Sequence, residues 1–262
     1  MKDEAGKLSI LRVTEQGRGE IEDTVVKESP FTIILDNQEL VTLLCSPTNL
    51  EYLAAGFLFS EGLLKSKDEI KKIVVDEDRG VVRVETEEAE KFAKDTSSKR
   101  LIASGGGRGA SLYSAIDAQS QAKVESQVKI LAGDVFSLVS QFQHRSQIYR
   151  ATGGVHSAAL CDTEGVLVFG EDIGRHNAID KVFGECVLKD IPTDGRMIIT
   201  SGRISSEILL KVTKRNIPIV ISVSAPTDLA VRLANDFGVT LIGFVKGKSM
   251  NVYTNGWRVA TG

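Results

Sequence analysis

With 262 residues, 42% apolar, 26% charged and 6% aromatic, the sequence has the composition of a folded globular chain, which excludes disorder and collagen. Its 32 basic and 35 acidic residues leave a formal charge of −3, so no global field draws nucleic acid and an anionic ligand must be held locally. No apolar run reaches the roughly 20 residues that span a bilayer, the start MKDEAGKLSI lacks a signal-peptide core, and Cys45, Cys161 and Cys186 are too widely spaced for a disulfide framework or a C-x-x-C zinc site, so a cytoplasmic protein with reduced thiols is expected.

Residues 31–45 read as a hairpin turning at Asp36-Asn37. Thr48-x-x-Glu51 then has the form of a capping box, opening a helix buried on one side through Tyr52, Leu53, Ala55, Gly56, Leu58 and Phe59. A second hairpin turns at Asp78-Arg79-Gly80 within residues 71–86. The run 104–109 (SGGGRG) is too glycine-rich for an element interior and reads as a mobile loop. It divides the chain into a mostly β amino-terminal part (1–100), a connector (101–126) and a carboxy-terminal domain (127–262).

Apolar spacing over residues 127–150 predicts one long amphipathic helix, and residues 157–170 a hairpin turning at 163–165. Strand and helix then alternate: strand 197–200, helix 204–215, strand 217–223, helix 227–237, strands 239–244 and 250–254. This order predicts an α/β sandwich whose central sheet is at least partly parallel.

Ligands of such sheets favour the carboxyl ends of strands, where loops enter helix amino termini. Ser201-Gly202-Arg203 offers a hydroxyl, a close backbone approach and a guanidinium suited to phosphate, although an ordinary helix start with a surface arginine has the same sequence. Ser224-Ala225-Pro226 marks a second junction, and the pair Gly153-Gly154, followed by His156, a third approach of backbone to a ligand. The segment 170–181 (GEDIGRHNAIDK) is the densest in polar function, and Asp172, Arg175, His176 and Asn177 are candidates there, His176 as a base or as a donor to a heterocycle. A zinc site from His144, His156 and His176 is not expected, because none pair at i, i+4 and no Cys or carboxylate is suitably spaced.

Taken together, these segments resemble the FdhD family of formate dehydrogenase accessory sulfurtransferases, through ESPFTIILDN, NLEYLAAGFLFSEGLL, ATGGVHSAAL, GEDIGRHNAIDK, TSGRISSEILLK, SAPTDLAVRLA and GFVKGKSMNVYT. The resemblance implies a cytidine-deaminase-like three-layer sandwich behind a smaller, mostly β amino-terminal domain, in a homodimer. It implies sulfur passed from a cysteine desulfurase to the molybdenum or tungsten bis-pterin guanine dinucleotide cofactor, which a formate dehydrogenase apoenzyme then receives. It also implies affinity for guanine nucleotides and assigns the cofactor to Phe244, Val245, Lys246, Gly247, Lys248 and Ser249. The deaminase zinc signature is missing, since Ser157 and Ala158 follow His156, so neither bound zinc nor a deaminase-fold nucleoside hydrolase is expected. The family's persulfide-forming loop cysteine is also missing: the loop reads ASGGGRGAS and places Ser104 at that position, and a hydroxyl cannot form a persulfide. The alternative is therefore a non-catalytic chaperone that binds the cofactor and carries no sulfur.

Overall fold

The computed structural model describes residues 4–87 and 123–262. Ser104 and the glycine-rich run lie outside the described residues. The first element is a ribbon of β1 (Ala5–Thr14) and β2 (Gly17–Val26), paired antiparallel along its whole length. Sequence pattern gave no reading of it, because most of its residues on both faces are solvated and apolar alternation is lost.

Next come β3 (Ser29–Leu35), β4 (Gln38–Cys45), α1 (Leu50–Ser60), β5 (Ile70–Asp76) and β6 (Val81–Thr86), with the strands in sheet order β4-β3-β6-β5. Asp36 and Asn37 both adopt positive φ, 46° and 66°, the signature of the tight turn expected there. Inward residues of β3, β4 and β6, among them Phe31, Ile33, Leu43 and Val82, pack against Leu53, Phe57 and Leu58 of α1.

Two expectations for α1 are corrected. The capping box does not form: the cap residue is Asn49 in the left-handed conformation, with no side-chain cap bond. And α1 is buried on nearly every side, since every residue from Leu53 to Ser60 is inaccessible.

The reason for this burial lies on its second face, where α1 crosses α4 (Arg175–Leu188). A Cβ on Gly56 would stand 1.8 Å from the Asp180 carbonyl oxygen, and one on Gly184 1.8 Å from that of Tyr52. Only two glycines permit backbone to meet backbone here. Polar bonds fasten the crossing: Asp180 accepts from Ser60 Oγ (2.6 Å) and Lys211 Nζ (2.5 Å), all three residues being buried.

The larger sheet has the order β13-β12-β11-β10-β8-β9. Its strands are β8 (His156–Cys161), β9 (Val166–Asp172), β10 (Met197–Thr200), β11 (Ile219–Ser222), β12 (Thr240–Lys246) and β13 (Ser249–Val252). β10, β11 and β12 run parallel, and the remaining pairings are antiparallel. Both faces are covered, which is why β10 and β11 are buried throughout and apolar up to their last residues, Thr200 and Ser222. On β10, Ile198 faces a core built with α4, α5 (Ser206–Thr213) and α6 (Asp228–Asp236), while Met197 and Ile199 face a core built with α2 (Ala132–Arg145).

The long helix expected over residues 127–150 is broken. Ile130–Leu131 forms β7, pairing in parallel with β14 (Val259–Ala260) near the carboxyl end. α2 then stops at Ser146, whose hydroxyl donates to the Glu171 carboxylate, and the short α3 (Gln147–Thr152) ends on Gly153 at φ 67°. Helical spacing of apolar residues survives such breaks, so pattern alone could not reveal them.

Candidate functional site

Strand direction assembles the site. β9 ends at Asp172, β10 at Thr200 and β11 at Ser222, while antiparallel β8 begins at His156, so these four termini share one edge. From that edge the chain enters α4, α5 and α6 at their amino termini.

The loops there lock to one another. Ser201 N donates to the Ser157 carbonyl and Ser157 N to Ser201 Oγ, both at 2.9 Å. Ser222 Oγ donates to the Gly202 carbonyl at 2.8 Å, and Phe244 N to the Ser224 carbonyl at 3.0 Å. The chain thus brings Ser201-Gly202-Arg203, Ser224-Ala225-Pro226 and the β12 segment from Phe244 together.

A cleft of about 360 Å³ opens beside this edge, between α2–α3 and the sheet, within the size range of small-molecule sites. Of the residues singled out in the sequence, it is lined by Gly153, Gly154, His156 and Ser201. Sequence reasoning missed Phe142, Ser146, Tyr149, Ser157 and Val223. Phe142 belongs to α2 and Tyr149 to α3, on either side of the break at Ser146, which the one-helix reading did not show. His156 lies 3.3 Å through Nδ1 from Ser201 Oγ. Burial first, then the Arg175 charge, lower its pKa and keep the ring neutral.

Other candidates lie away from the cleft. Asp172 is wholly buried and fully used: it pairs with Lys181 Nζ at 2.7 Å and accepts from Ser46 N, Gly174 N and Asn177 Nδ2. Asn177 also donates to the Leu44 carbonyl. These two side chains tie β4 to α4 and do not line the cleft. His176 is 6% exposed and sits 3.5 Å from Glu207; burial, then Lys211, Arg175 and His156, push its pKa to about 3. It is a neutral, enclosed ring rather than a free base.

Arg175 crosses Gly202 so closely that a Cβ there would meet its Cβ at 2.8 Å. Burial and Arg203 lower the Arg175 pKa, and its buried Nε finds no hydrogen-bond partner among the described residues. Arg203, two residues beyond the cleft-lining Ser201, is exposed.

On β12 the ladder shifts register between Gly243 and Lys246. Phe244 in that bulge holds φ 53° with its ring 49% exposed. Lys246, Gly247, Lys248 and Ser249 are exposed, whereas the Val245 side chain is buried in the α2-side core and offers a ligand only backbone.

All three cysteines are buried and free, and burial first of all pushes each thiol up to about 12. Among the described residues no three His, Cys, Asp or Glu gather as a metal site, and no helix is long and apolar enough to cross a membrane.

The sequence profile of the FdhD/NarQ family matches residues 26–260. The chain belongs to the FdhD/NarQ family. Among FdhD relatives, the sulfur carrier protein FdhD of Bacillus subtilis (strain 168) is 44% identical over 246 residues, 94% of either chain. That of Bacillus pumilus (strain SAFR-032) is 43% identical over 237 residues, 90% of either chain. A crystal structure described as a formate dehydrogenase accessory protein from Desulfotalea psychrophila superposes with a TM-score of 0.81 at 26% identity, over 98% of this chain and all of that one. The FdhD/NarQ assignment and the mixed α/β fold with several sheets therefore agree with the resemblance read from the motifs.

Proposed function

We propose that this chain is a formate dehydrogenase accessory factor of the sulfur-carrier type, handling the molybdenum or tungsten bis-pterin guanine dinucleotide as cargo before a dehydrogenase apoenzyme receives it. The observation that carries this reading is the shared edge. There the Ser201–Arg203 loop, the Ser224–Pro226 loop and the Phe244–Ser249 segment converge beside the cleft, within a mixed α/β fold that we read as a sandwich of the cytidine-deaminase type.

Exposed Arg203, Lys246 and Lys248 suit the diphosphates, and the orphaned Nε–H of Arg175 is a donor awaiting an acceptor. Guanine nucleotides and a cysteine desulfurase are the other expected partners, and a homodimer the expected assembly. Calorimetric titration with GDP tests the site: Arg203→Ala weakens binding by about 1–3 kcal/mol if it bonds a phosphate. An unchanged Kd removes Arg203 from the site.

One observation favours a second reading, in which the chain holds the cofactor without relaying sulfur. Its three thiols are buried and hard to ionise, and the thiolate is the sulfur nucleophile. Incubation with a desulfurase and cysteine, followed by intact-mass measurement, separates the two. Added sulfur supports the carrier; GDP binding without added sulfur supports the holding role.

A further inference from the structure

The polar wall of the cleft has a direction. Ser201 is fixed by two bonds to Ser157, accepting from its N–H and donating its own N–H to its carbonyl, each at 2.9 Å. Its hydroxyl has one proton to give. With the oxygen already accepting from backbone, the acceptor in reach of that proton among the described residues is His156 Nδ1, at 3.3 Å.

A neutral imidazole that accepts at Nδ1 carries its proton on Nε2. His156 is neutral, because burial and Arg175 disfavour its cation. Nε2 has no hydrogen-bond partner among the described residues, and His156 is one of the residues that line the cleft, with Gly154 and Val223.

The cleft lining itself contains no cationic side chain, whereas Arg203 stands exposed outside it. A phosphate therefore gains more at the rim, and an uncharged planar group more inside, between Phe142, Tyr149 and the glycine backbone.

We propose that Ser201 holds His156 as the Nε2–H tautomer and that this N–H is the specificity-determining donor of the cleft, given to a ring nitrogen or exocyclic oxygen of a planar heterocycle whose phosphates remain at the rim. This rests on the nucleotide reading above and deepens it by dividing the ligand: base inside, phosphate outside. It makes Ser201 a positioning residue whose hydroxyl is already committed, in place of a phosphate donor.

Imidazole ¹⁵N NMR of the full chain tests it, with three histidines to assign and His144→Gln to remove one signal. The parent shows His156 protonated at Nε2 only, and GDP moves that signal while inorganic pyrophosphate does not. Ser201→Ala mixes the tautomers and weakens GDP binding about five- to tenfold, the loss of one hydrogen bond, and Ser201→Thr restores both. A parent His156 protonated at Nδ1 overturns the inference, as does GDP bound with His156 unmoved or pyrophosphate moving Nε2 as GDP does. Failure of the parent to bind GDP at all overturns the nucleotide reading itself, and with it the ligand assigned to the cleft.

Discussion

Replacing Gly184 with alanine sets two effects of known size against each other. In a helix interior, alanine is favoured over glycine by about 0.8–1.0 kcal/mol. Against this, the new Cβ would stand 1.8 Å from the Tyr52 carbonyl oxygen and 2.7 Å from Gly56 N, and both obstacles are backbone. Carbon and oxygen approach to about 3.3 Å at closest, so α1 and α4 must part by about 1.5 Å. Overpacking of that kind costs about 1–3 kcal/mol. Stretching the buried 2.6 Å bond from Ser60 to Asp180, which is charge-assisted, adds about 1.5–3 kcal/mol. The net is a destabilisation of about 1.5–5 kcal/mol, read as a lower urea midpoint and a Tm lower by about 3–20 °C. Gly133→Ala is the control: it sits exposed in α2 with nothing within 4 Å of its Cβ, so it should gain stability. Gly184→Ala as stable as the parent would refute the backbone-to-backbone crossing.

Lys181→Met leaves the Asp172 carboxylate buried without its cation, 2.7 Å away and 1% exposed in the parent, and should cost about 3–5 kcal/mol in urea unfolding. Adding Asp172→Asn should recover much of that loss, and a single variant within about 1 kcal/mol of the parent contradicts the role given to the pair. His176 has a folded pKa of about 3 against the ordinary 6.5, so below pH 6.5 the unfolded chain binds a proton that the folded chain does not. Stability should fall as pH drops through that window, by roughly 2 kcal/mol at pH 5. Glu61 and Glu171, raised by burial, act in the opposite sense, so the measurement is parent minus His176→Gln, and a difference independent of pH refutes it. Finally, iodoacetamide at mild alkaline pH should leave the native chain unmodified and add three labels to the denatured one; rapid native labelling would show an accessible thiolate.

The hairpins and the strand–helix alternation were legible because their signals are local: Asp36-Asn37 sets its own turn, and Met197–Thr200 is apolar because both its faces are covered. The loops of the candidate site were legible for the same reason, since strand–loop–helix junctions name their own loops. The reading of 170–181 was less accurate because polar density has two causes. Asp172, Asn177, Asp180 and Lys181 are polar to bind partners such as Ser46 and Ser60, more than a hundred residues away. Nothing in the local sequence separates a buried tie from a ligand contact. The break at Ser146 was hidden likewise, because its cause, the Glu171 carboxylate, arrives from another element.

The backbone of Phe244 has a consequence for engineering. A bulky residue at φ 53° costs on the order of 1–3 kcal/mol, and a ring 49% exposed recovers little of that by packing. Glycine would relax the position at once, so a library selected for heat resistance alone would tend to discard the phenylalanine. On the proposed function, thermostability and cargo handling then pull this strand in opposite directions, and a screen meant to keep both has to select for nucleotide retention at every round.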